Sequence, residues 1–167
     1  SDVCSSDLNT IYKNFSFLIL VFTIYFNSTN LLSQTWTSNG PFYKNIKTLS
    51  VSPTNSNIVY AGAFGWGVYR STDAGATWKN GKSGMTNSYV RSLLAISDNT
   101  IFAGTNDGVF KSVDSGATWI HVLSTANSVR SLARDVNTNN IYAATYGEGL
   151  YKSTNQGTTW QSILVKD

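Results

Sequence analysis

Short apolar runs separated by turns rich in Gly and Asn make up most of the chain after residue 40. The run at residues 46–51 is followed by a polar turn, an Ile-Val-Tyr-Ala run, a glycine-containing turn and the run Gly-Val-Tyr-Arg-Ser. The same apolar register returns at residues 90–95 and 129–134. Short runs bounded by turn residues are typical of β-strands, and no segment keeps a helical period. The pattern predicts an all-β chain.

These runs belong to an internal repeat. Residues 58–78, 101–119 and 141–160 align with one another, and their closing tryptophans Trp78, Trp119 and Trp160 are 41 residues apart. Four short strands in each unit of about 40 to 45 residues are typical of a β-propeller blade. We therefore expect blades at about residues 41–79, 86–122 and 126–165, with a strand that opens on Thr-Trp closing each one.

The end of each repeat carries the pattern Ser-x-Asp-x-Gly-x-Thr-Trp, in which the third copy has Asn155 in place of the aspartate. This pattern resembles the Asp-box, or bacterial neuraminidase repeat, of sialidases, sortilin-type receptors, xyloglucanases and a photosystem assembly factor. An Asp or Asn side chain accepts backbone N–H bonds and closes a local turn, so we expect a structural role without catalysis. The resemblance places this turn opposite the ligand face. Its residues here are Ser71, Asp73, Gly75, Thr77, Trp78, Ser112, Asp114, Gly116, Thr118, Trp119, Ser153, Asn155, Gly157, Thr159 and Trp160.

The repeat count predicts an incomplete ring. Trp36 precedes Trp78 by 42 residues, so residues 34–36 are expected to form the fourth strand of a further blade. One strand and three blades fall short of the roughly four to eight blades that close a propeller. We expect further blades of the same protein, C-terminal to this segment, as partners.

The first 34 residues differ from the repeats. An apolar run of twelve residues at 15–26 follows Lys13, which is too short for the roughly 20 residues of a membrane span but fits the core of a signal peptide. The alternative is a buried strand pair. We expect a leader at residues 1–34, cleaved near Ser33 or Gln34, that gives the only membrane contact of a secreted, extracellular or periplasmic protein. Residues 1–8 fit neither element and look foreign to the fold.

Charge and composition argue against nucleic-acid binding and against a metal or cofactor site. The net charge is +3, but the cations occur singly, which argues against a nucleic-acid partner. Cys4 is the only cysteine and His121 the only histidine, so we expect no metal site, no disulfide and no cofactor.

The loops between the second and third strands are the expected ligand face. Rings there could stack on a sugar or receive a peptide side chain, although packing between blades would also explain them. One cation also recurs in the innermost strand of each repeat, which predicts an arc that attracts carboxylate or sulfate groups; pairing with nearby carbonyls is the alternative. The candidate ligand residues are Phe64, Trp66, Asn106, Tyr146, Lys47, Arg91 and Arg130.

Two function classes remain open. The first is a non-catalytic propeller that binds protein or glycan ligands. The second is part of a secreted glycoside hydrolase resembling xyloglucanases, since hydrolysis needs two carboxylates and the loops offer Asp107 and Glu148. Their positions also suit turn residues. A sialidase is disfavoured because its Phe/Tyr-Arg-Ile-Pro opening motif does not occur in this sequence.

Overall fold

The computed structural model describes residues 39–125 and 127–163. Within these ranges every regular element is a β-strand, and none is a helix long and apolar enough to cross a membrane. The predicted leader and the strand expected near Trp36 lie outside the described residues. The predicted all-β fold class is confirmed.

In the described part of the chain, twelve strands form three antiparallel sheets of four, each in simple chain order. Blade 1 contains β1 (Ile46–Val51), β2 (Val59–Ala63), β3 (Gly67–Ser71) and β4 (Lys79–Gly81). Blade 2 contains β5 (Ser92–Ala95), β6 (Ile101–Gly104), β7 (Gly108–Ser112) and β8 (Ile120–Ser124). Blade 3 contains β9 (Val129–Arg134), β10 (Ile141–Thr145), β11 (Leu150–Ser153) and β12 (Gln161–Ile163).

The apolar core lies between neighbouring sheets. Successive side chains of a strand point to opposite faces. On β6, Ile101 and Ala103 therefore join the cluster shared with blade 1, while Phe102 joins the cluster shared with blade 3. Burying a ring such as Phe102 contributes about 1.5 to 3 kcal/mol. Burial on both faces explains why β6 is an uninterrupted apolar run.

Hydroxyl side chains join the innermost strands of neighbouring blades. The amide of Leu93 donates to Thr48 Oγ1 (3.2 Å), and the amide of Leu132 donates to Ser92 Oγ (2.9 Å). These amides of β5 and β9 therefore bond side chains of the preceding blade and not a backbone strand. The blades stay separate sheets, but the bonds fix the register between them.

The fourth strands begin two residues later than the sequence predicts. We expected them to open with Thr-Trp, but β4 starts at Lys79 and β8 at Ile120. The indole N–H of Trp78 bonds the carbonyl of Gly75 (3.0 Å), and that of Trp119 bonds the carbonyl of Gly116 (3.1 Å). The tryptophan therefore closes the preceding turn before the strand begins.

Candidate functional site at the loop face

The predicted ligand loops join the second and third strands of each blade: β2 to β3, β6 to β7 and β10 to β11. Because neighbouring strands are antiparallel, these loops lie at the end of the blade where the innermost strand begins. In blade 1 the amide of Phe64 bonds the carbonyl of Asn45 (2.8 Å), and that of Gly65 bonds the carbonyl of Ser88 (3.0 Å). In blade 3 the amide of Tyr146 bonds the carbonyl of Ser128 (2.9 Å). These bonds fasten the loops to the inner-strand entries. We call this side the loop face.

The three repeated cations all reach rings or an amide on the loop face. Lys47 Nζ lies 5.9 Å from the centroid of Phe64, and the guanidinium carbon of Arg91 lies 5.0 Å from the same ring. The guanidinium carbon of Arg130 lies 5.0 Å from the centroid of Tyr146. Such contacts contribute about 0.5 to 1 kcal/mol each at exposed sites. Phe64 therefore holds two positive charges near one ring, and Tyr146 holds the third.

Arg91 is the most constrained of these cations. It immediately precedes β5, so it lies one residue outside the strand in which the sequence placed it. Its Nε donates to Asn106 Oδ1 at 2.5 Å, which fixes the plane of the guanidinium. Burial, and then the positive charge of Arg130, lower the pKa of Arg91. Two guanidiniums thus lie close enough to repel each other, and a bound anion would relieve that repulsion.

Trp66 and two residues that sequence reasoning missed extend this surface. Trp66 is 49 % exposed, and Lys44 Nζ lies 3.3 Å from its ring centroid. Tyr89 is 45 % exposed and packs edge-on against Phe64 with centroids 4.9 Å apart. Lys44 and Tyr89 occupy the connections before β1 and β5, which differ from repeat to repeat, so the register of the repeat gave no signal for either.

The two candidate catalytic carboxylates are engaged in turn geometry. Asp107 Oδ1 accepts the hydroxyl of Thr105 (2.8 Å), while its carbonyl accepts the amide of Thr125 (3.2 Å). Glu148 Oε2 accepts the hydroxyl of Tyr151 (3.2 Å), and its Oε1 is buried without a hydrogen-bonding partner among the described residues. Burial, and then Glu148, raise the pKa of Tyr151. The contacts of Asp107 are those of a turn residue, whereas Glu148 accepts one hydrogen bond within the described residues.

The single histidine of the sequence packs against an aromatic ring of the neighbouring strand. His121 lies on β8, stacked on Phe110 with ring centroids 4.4 Å apart. Across residues 39–125 and 127–163, no group of three His, Cys, Asp or Glu side chains could hold a metal ion.

The turns between the third and fourth strands, which we call the motif turns, lie at the opposite ends of the blades. Ser112 Oγ donates to Asp114 Oδ1 (2.7 Å) and accepts the amide of Gly116 (2.8 Å). The same carboxylate accepts the amide of Thr118 at 2.8 Å and, through Oδ2, its hydroxyl at 2.5 Å. The Thr118 bonds, followed by the Ser112 bond, lower the pKa of Asp114 to about 2.

The other two motif turns repeat this geometry. The Thr77 bonds lower the pKa of Asp73 to about 2 in the same way. In blade 3, Asn155 Oδ1 accepts the amide of Thr159 (2.9 Å), while its Nδ2 donates to the Thr159 hydroxyl (2.8 Å). An amide oxygen therefore replaces the carboxylate oxygen without changing the turn, which is what a structural role requires.

No protein-family model matches this sequence. No curated protein matches it either. Solved structures do match. An ancestral GH74 enzyme superposes with a TM-score of 0.64 and 25% identity, covering 71% of this chain and 18% of that chain. The extracellular domain of BT4673 from B. thetaiotaomicron superposes with a TM-score of 0.61 and 25% identity, covering 81% of this chain and 19% of that chain.

YCF48 bound to D1 peptide superposes with a TM-score of 0.56 and 17% identity, over 77% of this chain and 42% of that chain. This chain thus spans about a fifth of the length of the first two matches. The three sheets of the described residues have the β-propeller fold that the repeats predicted, and they are fewer than the roughly four to eight blades of a closed ring.

Proposed function

We propose that this chain belongs to an exported, non-catalytic β-propeller built from Asp-box repeats, and that its loop face binds the anionic group of a protein or glycan ligand. The observation that carries the proposal is the placement of Lys47, Arg91 and Arg130 around the rings of Phe64 and Tyr146. Cations held by rings keep their charge available to a ligand, whereas cations in ion pairs do not.

The site offers two kinds of recognition. The guanidiniums of Arg91 and Arg130 supply charge-assisted hydrogen bonds to a carboxylate or sulfate. The exposed faces of Trp66, Tyr89 and Tyr146 supply apolar platforms for a sugar ring or a peptide side chain. The combination favours ligands in which an anionic group adjoins an apolar surface, such as uronic-acid glycans or acidic peptides.

The matched structures support this class of function and its location. One of them is an extracellular domain, and another, YCF48, was solved with a peptide bound. The leader that the sequence predicts at residues 1–34 is a second reason to propose export. The GH74 match keeps glycoside hydrolysis as the second candidate, in which Asp107 and Glu148 would act, but the turn contacts of both carboxylates favour binding without turnover.

Isothermal titration against charged and neutral ligand pairs tests the proposal. The probes are polygalacturonate beside neutral xyloglucan, and a Glu-rich peptide beside its Gln-rich analogue. In at least one of these two pairs, we expect the protein to bind the charged probe and to bind the neutral probe only weakly. Replacing Arg91 and Arg130 together with alanine removes two charge-assisted bonds of about 1.5 to 3 kcal/mol each, so affinity should fall by at least about a hundredfold.

The matched control is Lys79→Ala, which removes an exposed cation next to a motif turn. Equal affinity for charged and neutral ligands, or unchanged affinity in the double-alanine variant, contradicts the anionic-ligand proposal. Turnover of xyloglucan that disappears in Asp107→Asn would instead establish the hydrolase.

A further inference from the structure

Aromatic rings and cations occur side by side on the loop face. Lys44 Nζ lies 3.3 Å from the ring centroid of Trp66 in blade 1, and the guanidinium carbon of Arg130 lies 5.0 Å from the centroid of Tyr146 in blade 3. Trp66 is 49 % exposed and Tyr146 is 66 % exposed, so part of each ring remains free beside the charge. Each ring-and-cation pair therefore offers an apolar surface next to a positive charge.

Another ring-and-cation pair lies at the junction of blades 1 and 2. Tyr89 is exposed and packs edge-on against Phe64, and the guanidinium carbon of Arg91 lies 5.0 Å from the centroid of Phe64. The buried part of this cluster, Phe64, thus joins an exposed ring to a cation whose plane is fixed. The loop face of the described blades therefore carries three ring-and-cation pairs, in blade 1, at this junction and in blade 3.

The backbone on both sides of the contact between Lys44 and Trp66 is held in place. Tyr43, directly before Lys44, has a φ of 59°, in the left-handed region that favours glycine. Its side chain is fully exposed, so no packing of its own ring explains this conformation. On the other side, Asn80 Nδ2 donates to the carbonyl of Trp66 (2.9 Å). A costly backbone conformation at an exposed residue points to a role for the neighbour that it positions, which here is Lys44.

We propose that the loop face binds a linear glycan of uronic acid residues, with one sugar residue at each ring-and-cation pair. This inference rests on the proposed function and names its ligand class. A uronic acid residue carries a ring face of C–H groups and one carboxylate, and these are the two parts that each pair accepts. An acidic peptide carries the charges without the flat rings. Because the pairs recur along the face, the ligand has at least three consecutive sugar residues.

The carboxylates of the loops rank the three pairs. The β2–β3 loop, residues 64–66, contains no acidic residue, whereas Glu148 lies in the same β10–β11 loop as Tyr146. A like charge near a bound carboxylate weakens its attraction to the protein. The pair that contains Lys44 should therefore contribute more to binding than the pair that contains Tyr146.

Isothermal titration with galacturonic acid, trigalacturonate, its methyl ester and the Glu-rich peptide tests the inference. Trigalacturonate should bind at least about tenfold more tightly than the monosaccharide, because its linked residues reach several pairs at once. The ester, which keeps the sugar rings without the charges, should bind weakly. Lys44→Gln should lower the affinity for trigalacturonate at least about tenfold, the loss expected for one charge-assisted hydrogen bond. Trp66→Leu should weaken binding of trigalacturonate more than binding of the peptide, because leucine offers no flat ring.

The matched control is Lys152→Gln. Lys152 Nζ also lies near a ring, 5.8 Å from the centroid of Tyr142, but Lys152 is on β11 next to the motif turn of blade 3, so affinity should not change. Equal affinity for the monosaccharide and trigalacturonate, equal effects of Lys44→Gln and Lys152→Gln, or a peptide that binds as tightly as trigalacturonate would overturn the inference and leave the anionic-ligand proposal standing. If neither the peptide nor any uronate binds, the proposed function itself fails.

Discussion

Replacing Ser112 with alanine tests whether the serine, more than the aspartate, holds a motif turn together. Ser112 is 1 % exposed, and its Oγ accepts the amide of Gly116 at 2.8 Å in a buried bond. Alanine removes that acceptor, and the amide cannot reach water without opening the turn. A buried donor left unsatisfied costs about 1 to 3 kcal/mol, so we expect the free energy of unfolding to fall by about that amount.

The comparison variant is Asp114→Asn, which blade 3 already contains in the form of Asn155. An amide oxygen there accepts the Thr159 amide at 2.9 Å, so this change should cost little at neutral pH. Urea unfolding followed by tryptophan fluorescence measures both variants, since Trp119 closes the same turn. A loss below about 0.5 kcal/mol for Ser112→Ala, the range of ordinary surface substitutions, would refute the reasoning. So would equal losses in the two variants.

The remaining predictions concern pH and backbone geometry. The pKa values of Asp73 and Asp114, about 2, lie below the ordinary 3.8, so these groups stabilise the fold above about pH 4 and lose that effect as pH falls toward 2. In the variant with both Asp73→Asn and Asp114→Asn, the melting temperature should change less between pH 5 and pH 2 than it does in the unchanged protein. An unchanged pH dependence would contradict the role given to these two carboxylates. Gly157→Ala should destabilise by about 1 to 3 kcal/mol more than Gly75→Ala, because both glycines have positive φ but only the former meets a ring at 2.5 Å. If urea unfolding gave the same loss of stability for both variants, the positive φ alone would explain the cost and the contact with Phe102 would not contribute.

Most of the fold was predictable because a blade is a local structure. Within each blade, a connection of at most seven residues joins every strand to the next, so apolar register and turn residues specify the pairing without distant information. The fourth strands were the exception. Their predicted start at Thr-Trp was wrong because the ring of Trp78 bonds back to Gly75, which a pattern of residue types does not reveal.

The sequence picked out several residues of the candidate site but neither Lys44 and Tyr89 nor the contacts that the residues make. The spacing of the repeat by itself picked out Lys47, Arg91 and Arg130 and the loops that face them. Only the tertiary structure decided that Arg91 reaches Phe64 of the preceding blade as well as Asn106 of its own, and that Tyr89 joins them. The physical reason is that strands and turns depend on neighbours in sequence, whereas contacts between blades depend on how the packed sheets lie against each other.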